Sequence, residues 1–173
     1  MKNNRVILTP DRGYKVEGYL ASGETLYPGM IVQIDPTQSL IGGKHAWKIY
    51  SRDADGDRPK GPFIVVTEDI LQGKAAAGVA SSSSSSAGDA YGTGSGTRLF
   101  GFIPLPGCEC NLLFKNVTGT ADDVVAGDLL TVDTGSGKVQ VTTSTPETEV
   151  AMALEAITDP TEDKMLWCIW TGH

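Results

Sequence analysis

The chain has 173 residues, of which 40% are apolar, 20% charged and 21 glycine, and its formal net charge is −7. That length can bury a sizeable core, while the acidic balance excludes the basic face on which nucleic-acid binding depends. No run of about 18 apolar residues exists, so no transmembrane helix is expected.

Residues 1–13 read as an N-terminal arm. Its extended run, Arg5-Val-Ile-Leu-Thr9, ends at Pro10 and Asp11-Arg-Gly13. Val6-Ile7-Leu8 is too short an apolar run for a secretory signal. The chain is therefore expected to be made and kept in a cytoplasm, with its three cysteines as reduced thiols.

From Tyr14 to Asp35 the sequence is β-like, with turns at Ala21-Ser-Gly-Glu24 and Pro28-Gly29 and a strand at Met30-Ile-Val-Gln-Ile34. Lys44-His-Ala-Trp-Lys-Ile-Tyr50 alternates as a strand. Residues 51–62, with two prolines and two glycines, read as a surface loop. Phe63-Ile-Val-Val-Thr67 is a short buried strand, and Glu68-Asp-Ile-Leu-Gln72 can form one helical turn. Residues 73–97 hold six consecutive serines, Ser81 to Ser86, and almost no large apolar side chain except Tyr91. Such a tract cannot offset its own ordering entropy, so it reads as a flexible insertion in one β domain spanning 14–173.

Arg98-Leu-Phe-Gly-Phe-Ile103 resumes the strands, and Pro104-Leu-Pro-Gly107 turns into another around Leu112-Leu-Phe114. Gly127-Asp128 then opens a hairpin. Leu129-Leu-Thr-Val132 and Lys138-Val-Gln-Val141 are its arms, and Asp133-Thr-Gly-Ser-Gly137 supplies glycines for the tip. Leu130, Val132, Val139 and Val141 are expected to share a buried face, with Thr131, Thr134, Lys138 and Gln140 outside. Glu149-Val-Ala-Met-Ala-Leu-Glu-Ala-Ile157 has helical propensity, but it alternates and is short, which favours a strand. The uncharged Met165-Leu-Trp-Cys-Ile-Trp170 should pair centrally, because as a bare edge it invites aggregation.

The residues that could carry chemistry do not assemble a site. Asp53-Ala-Asp-Gly-Asp57 places oxygens as a metal loop does. An EF-hand, however, needs glycine sixth and glutamate twelfth, and here glycine is fourth and Ile64 twelfth. No structural metal and no cofactor are expected. Cys108-Glu-Cys110 is too close for a Cys-x-x-Cys motif, and these cysteines, with Cys168, read as core residues. A triad needs a base, and the two histidines are His45, in a strand, and His173, at the end. Asn116-Val-Thr118 matches a glycosylation acceptor that has no secretion signal to make it meaningful. Gly92-Thr-Gly-Ser-Gly96 lacks the Lys-Ser/Thr of a P-loop. The chain is read as a non-enzyme.

The series formed by Pro104-Leu-Pro-Gly107, Asn111-Leu-Leu-Phe114, Gly127-Asp128, the glycine-tipped hairpin, Ala153-Leu-Glu-Ala156 and the closing strand resembles the capsid decoration, or cement, proteins of tailed bacteriophages. The resemblance covers residues 98–170. It implies an all-β, compact β-barrel-like or β-sandwich domain that does no chemistry, binds the major capsid protein on the outside of the assembled head and stabilises the shell. It also implies a homo-oligomer, a trimer ahead of a dimer, with neither nucleic-acid nor membrane partners. The protein would be made in the bacterial cytoplasm and located on the capsid exterior of the virion. Anchoring in that family by an arm that adds to capsid strands makes Arg5, Val6, Ile7, Leu8 and Thr9 the expected capsid-binding residues. Two other classes remain open. A tail or fibre module binding host glycan would need an exposed aromatic beside acids, with Trp47 near Asp53 and Asp57 as the candidate. A hydrolase would need a base beside a nucleophile.

Overall fold

The computed structural model describes residues 5–51, 62–68, 91, 96–115, 123–133, 135–142, 149–158 and 163–172. The acidic loop around Asp53, most of the serine-containing insertion, the rest of the helical turn begun at Glu68, and Asn116-Val-Thr118 lie outside these residues. The described residues are all-β, as expected. The strands are β1 (Gly13–Leu20), β2 (Ile31–Ile34), β3 (Ala46–Ile49), β4 (Ile64–Val66) and β5 (Arg98–Pro104), followed by β6 (Glu109–Phe114), β7 (Leu129–Val132), β8 (Val139–Val141), β9 (Glu149–Ala153) and β10 (Lys164–Trp170). The expected strands form, the ambiguous 149–157 segment only over its first five residues. There Glu149–Ala153 is β9, and Ile157 makes an isolated bridge to Val124.

The strands make two five-stranded sheets, each closed into a small barrel. Taken from its first strand, the first runs β1-β3-β2-β4-β5 and the second β6-β8-β7-β9-β10. The order is the same. The directions are also the same, since β1/β3 and β6/β8 are parallel and every other pair is antiparallel.

The register repeats as well. Leu20 opposite Trp47 corresponds to Phe114 opposite Val139. Val16 opposite Gly101 corresponds to Cys110 opposite Cys168. Val32 opposite Ile64 corresponds to Leu130 opposite Ala151, and Val66 opposite Gly101 to Ala153 opposite Cys168.

The turn before each second strand is repeated bond for bond. The Met30 N–H donates to the Tyr27 carbonyl, and the Asp128 N–H to the Val125 carbonyl. Gly29 and Gly127 hold φ of 87° and 102°, a region open to glycine without a Cβ penalty. Their N–H groups donate to Val66 and Ala153, again equivalent residues.

The barrels are packed into one body. Ile31, Tyr50, Val65 and Phe102 of the first share a core cluster with Cys110, Leu112, Phe114 and Leu166 of the second. Backbone bonds cross between them, from the Ile31 N–H to the Gly137 carbonyl (2.7 Å) and from the Leu113 N–H to the Gly29 carbonyl (3.0 Å). Phe63 sits 5.2 Å from the Tyr50 ring and 5.9 Å from Trp170, bridging the halves with edge and tilted contacts.

Inside the first barrel the Trp47 indole lies across Gly18 and Gly101. A Cβ on Gly101 would fall 2.6 Å from Ile64 Cγ2 and 2.9 Å from the indole. The two glycines therefore make the room that Trp47 fills, and Trp47 is only 2% exposed. In the hairpin, Leu130, Val132 and Val139 are buried as expected, but so is Thr131. A register irregularity between Leu130 and Thr131 in the β7–β9 pairing breaks the simple alternation there.

Asp35 follows β2 at the position that Asp133 holds after β7. Its carboxylate accepts from the Thr37 N–H (3.0 Å) and hydroxyl (2.7 Å), and Lys48 Nζ lies 3.8 Å away. Burial acts to raise its pKa, but the Thr37 bonds and the Lys48 charge outweigh it, and the carboxyl titrates below its ordinary 3.8. The contribution to stability is thus fully present above pH 3.8 and is lost as pH falls through the lowered folded-state value. Acid unfolding followed by circular dichroism should be less steep in that window for Asp35→Asn than for the parent chain.

Candidate binding surfaces

Strand β6 is longer than the strand beside it. β8 pairs with it only at Phe114, so the edge of β6 over its first three residues, Glu109 to Asn111, has no partner from the barrel. Unpaired strand edges seek donors and acceptors, and the N-terminal arm supplies them. The Leu8 N–H donates to the Glu109 carbonyl (2.9 Å) and the Asn111 N–H to the Val6 carbonyl (2.7 Å), with Ile7 opposite Cys110 in antiparallel register. Side chains reinforce the seam. The Glu109 N–H donates to Thr9 Oγ1 (2.8 Å), Asn111 Nδ2 to the Arg5 carbonyl (2.6 Å), and the Val6 N–H to a Glu68 carboxylate oxygen (3.1 Å).

The arm expected to bind the capsid is laid along its own chain. Val6 is fully buried in the core cluster with Cys108 and Cys110, and Ile7 packs against that cluster. Ile7, Leu8 and Thr9 are half-buried, while Arg5 is exposed. Of the five expected capsid-binding residues, Arg5 presents the freest side chain.

The aromatic proposed for glycan stacking is corrected too. Trp47 faces the barrel interior because Gly18 and Gly101 leave space there. The exposed tryptophan is Trp167, on β10, at 39%. Its indole Nε1 donates to Glu109 Oε2 (3.3 Å), which places one carboxylate at the ring edge, and its backbone N–H donates to Glu155 Oε1 (3.0 Å). Its alternate position within an otherwise apolar strand was the available signal, since its neighbours Leu166 and Cys168 are both buried.

Cys108, Cys110 and Cys168 are free and buried, with Cys110 and Cys168 opposite one another on β6 and β10. Burial pushes all three thiols above their ordinary range. A raised thiol pKa means little nucleophilic thiolate at neutral pH. None should react with a thiol reagent in the native protein at pH 7, and all three should react once the chain is unfolded, as absorbance titration would read. His45 is exposed just before β3, and His173 lies outside the described residues. Among the described residues, no three His, Cys, Asp or Glu side chains converge to hold a metal ion.

No protein-family model matches the chain, and no curated protein matches it in sequence.

Proposed function

We propose that the chain is a structural virion protein that binds the outer surface of an assembled phage head and stabilises it as a decoration protein. One observation supports this reading above the rest. The residues that carry the resemblance are contiguous neighbours rather than scattered matches. The Gly127 turn, the glycine-tipped hairpin, Ala153-Leu-Glu-Ala156 at the end of β9 and the closing strand belong to β7 to β10 and their connections, and with β6 these strands close one sheet. In this reading the partner is the major capsid protein and the protein does no chemistry. Arg5, with the half-buried Leu8 and Thr9 beside it, is part of the contact. The test is co-sedimentation of the purified chain with expanded heads, immature heads and free capsid subunits. Binding that requires an assembled shell supports the reading, and failure to bind any head overturns it.

The exposed Trp167 ring, held at its edge by Glu109, favours a second reading, a virion module that holds a host glycan by stacking. Glycan-array binding lost in Trp167→Ala would support it over the first.

A further inference from the structure

The repeat exposes a vacancy. Lys15 opposite Phe102 and Glu17 opposite Phe100 correspond to Glu109 opposite Ile169 and Asn111 opposite Trp167. Lys15, Val16 and Glu17 of β1 are therefore the counterparts of Glu109, Cys110 and Asn111 of β6, the three residues along which the arm is laid. On β1 that edge carries nothing among the described residues. The Tyr19 N–H donates to His45 and the Ala21 N–H to Trp47, which shows that every second residue of β1 faces the β3 side. Lys15 and Glu17 share that phase. β3 begins only opposite Tyr19, so their N–H and C=O groups stand beyond its end. The side chains agree. Cys108 and Cys110 are fully buried under the arm, whereas their counterparts Tyr14 and Val16 are 64% exposed and half-buried.

We propose that this edge pairs with the same edge of a second copy, making a two-fold dimer through β1. The arm defines the register, with Ile7 opposite Cys110 and its neighbours Leu8 and Val6 bonding to Glu109 and Asn111. Another copy's β1, placed in that register, sets Val16 against Val16, Lys15 against Glu17 and Glu17 against Lys15. Each Lys15–Glu17 pair exchanges both backbone hydrogen bonds, as alternate antiparallel pairs do, and places opposite charges side by side on one face. The arrangement reads the same from either copy, which is the condition for an isologous two-fold contact, and it closes at two. A second copy fits better than another copy's arm, because each arm is already held on its own β6 with Val6 buried. It also needs no foreign strand that happens to carry an acid and a base at this spacing.

This inference does not rest on head binding and is tested without capsids. Sedimentation equilibrium of the intact chain in the micromolar range should give twice the chain mass of 18.2 kDa. Lys15→Pro removes an edge N–H that faces away from β5, a position where proline is tolerated in a strand, and should halve the mass with the melting profile retained. K15E and E17K should each be monomeric alone, since like charges then face one another. Mixed, they should form a dimer, because both acids of the first variant then face both lysines of the second. Glu17 also pairs with Arg98 (2.6 Å) and Lys44 (3.5 Å) within its own chain. If E17K folds poorly for that reason, Lys15→Pro decides alone. A wild-type chain of single mass throughout, a folded Lys15→Pro that is still dimeric, or folded charge variants that stay monomeric when mixed would each overturn the proposal.

Discussion

Deleting residues 1–10 is expected to destabilise the protein by on the order of 3–5 kcal/mol, a large part of what a typical domain has. Val6 is fully buried, and withdrawing a side chain of that kind from the core costs about 1.5–3 kcal/mol. The deletion also uncovers Cys108 and Cys110, which are fully buried in the same cluster, so apolar surface is lost on both sides of the seam. The backbone bonds to Glu109 and Asn111 are lost with it, although water can replace those at an opened edge, at a net cost of about 1 kcal/mol each. Urea unfolding monitored by tryptophan fluorescence would show the midpoint move to lower urea. The result bears directly on how head binding is tested. A deletion that abolishes binding cannot separate a lost contact from a lost fold, whereas Arg5→Glu changes an exposed side chain and leaves Val6 in place. A deletion with unchanged unfolding would show that the arm is dispensable to the barrel.

The strands were legible in the sequence because their signals are local. Gly127 and the glycines of the 133–137 tip bracket the hairpin, and Pro104-Leu-Pro-Gly107 separates β5 from β6. In the 149–157 segment a strand wins over helical propensity across Glu149–Ala153, but Ala151 and Ala153 are buried with Val150 while Met152 is half-buried, so the expected alternation does not set the buried face. The closing strand had no charge and was expected to pair centrally, and β10 does so with β6 on one side and β9 on the other.

What the sequence concealed is non-local. The repeat is carried by register and direction, and its strands are separated by connections of very different length, so side-chain identity survives only in patches. The clearest patch is Pro28-Gly-Met-Ile-Val-Gln-Ile-Asp35 against Ala126-Gly-Asp-Leu-Leu-Thr-Val-Asp133, where glycine, four strand residues and aspartate align. That alignment was the signal available for the duplication. The fate of the arm depended on β6 outrunning β8, a property of pairing rather than of composition. The burial of Trp47 depended on two glycines far apart in sequence meeting across neighbouring strands. The repeat also gives the arm its meaning, because only against the second barrel does the bare edge of β1 stand out.

Tyr91→Ala is the single substitution expected to cost the most, about 4 kcal/mol, near the middle of the range for emptying a buried aromatic site. Composition places Tyr91 within an insertion of serine, glycine and alanine, yet it is fully buried in the core of the first barrel beside Leu20, Leu26 and Leu99. Two hydrogen bonds fix it. Its N–H donates to the Leu26 carbonyl (2.8 Å) and its hydroxyl to the Thr67 carbonyl (2.6 Å). The alanine variant loses the ring and leaves the Thr67 carbonyl without that donor. Tyr91→Phe keeps the ring and loses only the hydroxyl bond, so it should cost about 0.5–1.5 kcal/mol. The contrast extends to the insertion. Replacing residues 75–86 with a short Gly-Ser bridge keeps Tyr91, and because the entropy of loop closure changes slowly with length, stability should shift by less than about 1 kcal/mol. A longer excision that takes Tyr91 with it should cost as much as Tyr91→Ala. Urea midpoints for the four variants test the ordering. If the short bridge is as damaging as the loss of Tyr91, the serine-rich tract contributes packing of its own.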